Sequence, residues 1–168
     1  MWLIFCIPFT LQALLIGLDE GCFHIKRGLP RWERIGHPID TFSVLLCFAY
    51  VLLFPFSKGF LQGYVVLSIV SCLLVTKDEF IHKHHCPALE QWLHALLFLN
   101  HPVILTALGL SWPIIRQADS PSWLAAWVDA PEKLYAYLVL QSFFIALFLL
   151  YQIVYWNFIW KQKQSIDG

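Results

Sequence analysis

The chain has 168 residues, of which 59% are hydrophobic, 17% aromatic and 13% charged. An ordinary soluble domain carries about 25% charged residues, so a soluble globule is excluded. Eleven basic and eleven acidic residues cancel, which removes the electrostatic footprint expected of a nucleic-acid-binding protein.

A membrane helix needs about 20 mostly apolar residues to cross a hydrocarbon core of about 30 Å. The first uncharged stretch, 2–18, starts almost at Met1. It lacks the basic n-region and small-residue cleavage site of a secretory signal, so it reads as a permanent span. A polar segment over 18–40 follows, then an uncharged stretch over 41–56, the turn Ser57-Lys58-Gly59 and a third stretch over 60–76. A second polar segment, 77–90, leads to the fourth stretch, 91–115. The loop 116–133 contains Pro121, Trp123, Trp127 and Pro131, and its tryptophans read as an interfacial anchor. The fifth stretch is 134–160, and 161–168 is a tail. Several uncharged cores are short, so the helices are expected to extend into the polar segments beside them. Five cysteines, Cys6, Cys22, Cys47, Cys72 and Cys86, are scattered and never form a CxxC pair. They give neither a disulfide framework nor a zinc-thiolate site.

The expected fold is an all-α integral membrane protein with five transmembrane helices in a single domain over 1–168. Lys26, Arg27, Arg31, Arg34, Lys77, Lys83, Lys161 and Lys163 fall on one face of that topology. Lys58, Arg116 and Lys133 fall on the other. This bias places the N-terminus outside and the C-terminus in the cytoplasm.

Six of the seven histidines and seven of the eleven acids lie in or beside the two cytoplasmic segments. Their order repeats. Asp19-Glu20, His24, Pro30, Glu33 and His37 are matched by Asp78-Glu79, His82, Pro87, Glu90 and His94. With an apolar stretch on either side of each copy, the chain reads as two tandem hairpins, about 1–56 and 60–115. They would be parallel repeats about an axis normal to the bilayer, forming a four-helix bundle to which the fifth helix is added.

Residues four apart share a helix face, so Glu33 with His37 and Glu90 with His94 can each aim a carboxylate and an imidazole at one point. Pro30 and Pro87 stand where a first-position proline would start those helices. Glu20 with His24 repeats the spacing, and Glu79 with His82 is one residue tighter; which acid of Asp19/Glu20 and of Asp78/Glu79 faces inward stays open. Joining the hairpins would assemble Glu20, His24, Glu33, His37, Glu79, His82, Glu90 and His94. Mixed carboxylate and imidazole ligation without thiolate suits iron, manganese or zinc. Eight ligands suit two transition-metal ions bridged by carboxylates, with iron preferred and zinc or manganese as the alternative. Asp19, Asp40, Asp78, His84, His85 and His101 are further candidates, as ligands or as partners that fix an imidazole tautomer. His37 and His101 each precede a proline, which disfavours helical geometry and suggests a kink or helix start at His37.

At motif level this set resembles the carboxylate-bridged dimetal proteins built on four-helix bundles, such as ferritin-like oxygenases and membrane-bound alternative oxidases. Those use a lone Glu on two helices and Glu-x-x-His on two others. Only Glu79-Phe80-Ile81-His82 has that spacing here. His82-Lys83-His84-His85 is too short for the histidine boxes of membrane desaturases, so the chain is assigned to neither family.

The functional expectation is a membrane dimetal enzyme, a non-haem diiron oxidoreductase of hydroxylase, desaturase or oxidase type. Its substrate would be a lipid-soluble molecule taken from the membrane, its electron donor a soluble reductase, and nucleic acid is not a partner. The alternative is a zinc or manganese hydrolase of a lipid headgroup, with Asp19, Asp40 or Asp78 as general base and Lys26, Arg27, Arg31 and Arg34 holding a phosphate. A non-enzymatic metal-binding or assembly subunit ranks third. A plain ion-pair network of Glu33, Arg34, Arg27 and Asp40 at the bilayer surface would account for the acids but leave the paired histidines unexplained.

Overall fold

Inside a bilayer every backbone polar group must find its partner within the protein, and a helix satisfies them residue by residue. The structure, a computed structural model, describes residues 1–78 and 86–160, without the side chain of Asp78. Among the described residues it is helical with no strand. Helix α1, Leu3–Asp19, continues through a π-helical turn, Glu20–His24, into a last helical turn, Ile25–Arg27. Then come α2 (Arg31–Leu53), α3 (Lys58–Val75), α4 (Ala88–Ile115), a short connector helix (Ser122–Trp127) and α5 (Pro131–Val154), which ends in a second π-helical turn, Tyr155–Ile159. Five of these segments are long and apolar enough to cross a membrane.

The polar flanks are helical, as expected: α2 begins at Arg31 and α1 runs on to Arg27. Pro30 and Pro87 cap α2 and α4 in extended geometry, with ψ of 159° and 156°, one residue before the position expected from sequence. His37 and His101 do not mark helix starts. Pro38 and Pro102 lie inside α2 and α4, which run through them, because neighbouring helices in a membrane bundle tolerate the lost N–H bond. Ser57 starts α3 by accepting the Phe60 N–H on its hydroxyl at 3.4 Å.

Packing departs from two equivalent hairpins. α1 packs chiefly on α4, while α2 packs most extensively on α5 and next on α3. The fifth helix is therefore part of the bundle. The α1–α2 contact is sparse because a cavity of about 460 Å³ lies between them, walled by α1, α2, α4 and α5. Asn100 ties α4 to α1 by donating to the Pro8 carbonyl and to Gln12 Oε1, both at 2.8 Å. Beyond the cavity the core closes around Trp112, with Tyr50, Phe56 and Tyr64 ring centroids 5.5–5.7 Å from it. One end of the bundle is thus filled by aromatic rings; at the other the chain buries charge.

Candidate metal centre

That polar end is built from the last turns of α1 and the first turns of α2 and α4. Asp19, Glu20, His24, Glu33, Glu90 and His94 are all buried there, with Glu90 at 0% and Glu33 at 1% exposure.

The π-helical turn decides which acid of the Asp19-Glu20 pair joins the cluster. In an α-helix, residues five apart diverge by about 140° around the axis. Here the Ile25 N–H reaches back to the Glu20 carbonyl, five residues earlier, and the wider turn brings residues five apart back toward one face. His24 Nε2 consequently stands 3.2 Å from Asp19 Oδ2. The same carboxylate meets His94 Nε2 of α4 at 3.1 Å. Glu90, one turn before His94, brings Oε1 to 3.8 Å from His24 Nε2. Ligand atoms of Asp19, His24, Glu90 and His94 all lie within 4.8 Å of one another.

Glu20 has a different place from the one expected. Its Oε2 pairs with His24 Nδ1 at 3.1 Å, while its Oε1 accepts from Tyr151 Oη at 2.7 Å and Trp156 Nε1 at 2.9 Å, both on the fifth span. It is a carboxylate behind an imidazole, one atom removed from the cluster. With Nδ1–H given to Glu20, His24 presents the Nε2 lone pair, the arrangement by which metal sites fix a histidine tautomer.

Arg27 enters between the first turns of α2 and α4. Its Nη2 donates to Glu90 Oε1 at 2.8 Å and lies 3.0 Å from Glu33 Oε2. Its Nε adds a 3.2 Å bond to Glu90 Oε1. Glu33 of α2 and Glu90 of α4 are thus joined through one guanidinium. His37 stacks on His24 with centroids 5.1 Å apart, and His24, Glu33 and His37 form a second ligand group that shares His24 with the first. The ion-pair reading of Arg27 with Glu33 is thus correct in part. Arg34 and Asp40 are engaged elsewhere: Arg34 donates to the Leu29 carbonyl at 2.7 Å and lies 4.3 Å over the Trp160 ring.

Other candidates go elsewhere or fall outside. Asp40 is clamped by Lys77, whose Nζ is 2.6 Å from both carboxylate oxygens. His101 bonds Ser71 Oγ at 3.0 Å, deeper in α4. Glu79, His82, His84 and His85, and the side chain of Asp78, lie outside the described residues.

Two observations bear on whether an ion fits. His24 Nε2 and Glu90 Oε2 are buried and make no hydrogen bond. A tetrahedral ion with ligands at about 2.0–2.1 Å separates its ligand atoms by about 3.3 Å; Asp19 lies 3.1 and 3.2 Å from His94 and His24, and the whole group falls within 4.8 Å. Charge points the same way. With neutral imidazoles, Asp19, Glu20, Glu33 and Glu90 exceed Arg27 by three negative charges, and burying such an excess is costly unless protons or a cation balance it.

No family model, curated protein or solved structure matches the chain.

The same cluster forms one wall of the cavity. Asp19, Glu20, His24, His37 and His94 line its polar end, and the rest is mainly apolar, with Phe9, Phe48, Phe98 and Phe144, but includes Gln12, Thr41, Gln141 and Gln152. Sequence reasoning passed over Asp19 as the prime ligand because it used α-helical periodicity. Tyr151 and Trp156 carry a signal in the sequence: a phenol and an indole near the end of the fifth apolar span, on the side of the buried acids.

Proposed function

We propose that this protein is an integral membrane metalloenzyme, an oxidoreductase acting on a lipid-soluble substrate that enters the cavity from the bilayer. The observation that carries this reading is the continuity of an apolar cavity of about 460 Å³ with a buried Asp19/His24/Glu90/His94 cluster. These four side chains would hold the first ion. The second ion expected from the sequence would draw on Glu33 and His37 and on Glu79 and His82. Iron would supply activation of dioxygen, the oxidant for an unactivated carbon, with the donor's electrons completing its reduction, and zinc or manganese would supply activation of water. The chain's own contribution would be positioning: Glu20 would fix the His24 ring through Nδ1, Arg27 would hold Glu90 through Oε1, and the largely apolar walls would receive the lipid-soluble substrate. The excess of lysine and arginine on this side supports a cytoplasmic face for the centre, with the N-terminus outside and a soluble reductase as electron donor.

The headgroup-hydrolase reading has less support. Of its proposed bases Asp40 is engaged by Lys77, and of its proposed phosphate ligands Arg27 is engaged by Glu33 and Glu90 and Arg34 by Leu29 and Trp160.

Metal analysis of protein purified in mild detergent tests the proposal. At least one tightly held transition-metal ion per chain is expected, lost in Asp19→Ala and in His94→Ala and kept in Asp40→Ala. Metal-free wild-type protein that also fails to take up iron, manganese or zinc would reject it.

A further inference from the structure

The cavity has a second polar feature, remote from the metal cluster. His101 lies on α4 seven residues after His94, which places it on nearly the same helix face about 10 Å further along the axis. It is 3% exposed and lines the cavity.

A run of hydroxyls fixes the protonation of its ring. Ser43 Oγ lies 2.8 Å from the Asp40 carbonyl, Ser71 Oγ 2.8 Å from Ser43 Oγ, and His101 Nε2 3.0 Å from Ser71 Oγ. A carbonyl only accepts, so the single Ser43 proton goes to Asp40. Ser71 must then donate to Ser43, and His101 Nε2–H must donate to Ser71. No other assignment satisfies all three contacts. In the neutral imidazole the remaining nitrogen, Nδ1, is an acceptor, and among the described residues the hydrogen bond His101 makes is the one through Nε2. Other polar side chains of the cavity wall have partners, Gln12 with Asn100, Thr41 with Gln152 and Gln141 with Tyr137, and much of the remainder is apolar, with Phe9, Val44, Phe48 and Phe98.

We propose that His101 Nδ1 anchors the hydroxyl of an amphiphilic lipid, an isoprenoid or other long-chain alcohol or phenol, and so holds a carbon about one heptad of helix away beside the metal cluster. This rests on the metalloenzyme reading and names its substrate class. The hydroxyl donates to Nδ1, and the chain lies along the phenylalanine wall toward Asp19 and His94. Molecules with a bare acceptor headgroup, such as ketones and methyl ethers, give Nδ1 no proton and bind more weakly.

The test uses the full chain in detergent, with farnesol and farnesyl methyl ether as probes and binding followed by calorimetry. Wild-type protein should prefer farnesol by about tenfold, the size of one net hydrogen bond. His101→Phe should bring the ratio close to one with metal content unchanged. Ser71→Ala, which frees the tautomer, should lower the ratio while leaving α4 intact. Asp19→Ala should lose metal and keep the preference, which separates this proposal from the metal centre. Equal binding of both probes by wild-type protein, binding of neither, or a preference that survives in His101→Phe would overturn it.

Discussion

Replacing Arg27 by methionine should have opposite effects on the metal-free and metal-loaded protein. Arg27 is the cation set between Glu33 and Glu90, which are 1% and 0% exposed, at contacts of 2.8–3.2 Å. Removing it raises the excess negative charge in the cluster from three to four, and removing one partner of a buried ion pair costs about 3–5 kcal/mol. Without metal, Arg27→Met should therefore unfold at a clearly lower temperature than wild type. With metal the loss should shrink, since a divalent ion restores the missing charge and Glu90 gains a second free oxygen. Thermal unfolding in detergent, with chelator and with saturating metal, measures both quantities. The metal-induced rise in Tm should be larger in Arg27→Met than in wild type, and Arg27→Met/Glu33→Gln should recover part of the loss in chelator. A variant that unfolds like wild type in chelator, or gains less from metal, would refute the charge argument.

Glu20→Gln keeps an acceptor for Tyr151 and Trp156 but loses the anion behind His24, so metal affinity should fall about 10–100-fold without being abolished; Asp40→Asn should leave it unchanged, as metal titration will show. Gly28 has φ of +75°, and a Cβ there would collide with the Trp160 ring, whereas a Cβ on Gly21 meets nothing. Gly28→Ala should accordingly lower the unfolding temperature and Gly21→Ala should leave it equal or slightly raise it. Burial, with Glu90 nearby, pushes the Cys86 thiol up to about 12. At pH 8 it is protonated, so maleimide should label the exposed Cys22 and spare Cys86 until the chain is unfolded. Metal affinity should rise with pH as ligand imidazoles shed protons, and loading should release protons measurable in weakly buffered solution.

The five spans were legible because apolar length is a property of sequence alone. The convergence of α1, α2 and α4 was legible in part, since Glu33/His37 and Glu90/His94 obey plain α-helical spacing. The choice of Asp19 over Glu20 was not, because it depends on one π-helical turn, and no residue type in Glu-Gly-Cys-Phe-His announces it. Arg27 was read as a surface cation because its partner Glu90 is 63 residues away in the chain. The helix pairing escaped as well: hydropathy says nothing of the cavity that keeps α1 off α2.

The grip of Tyr151 and Trp156 on Glu20 spans 131 and 136 residues of chain. During synthesis Asp19 and His24 emerge early, and Glu90 and His94 are made before the fifth span exists. The four clustered side chains can therefore meet in a nascent chain whose Glu20 still lacks its anchors on the fifth span. If the cluster holds an ion as proposed, only insertion of the last helix would fix the His24 ring, and a ribosome-stalled chain ending before Pro131 would bind that ion more loosely than the full chain.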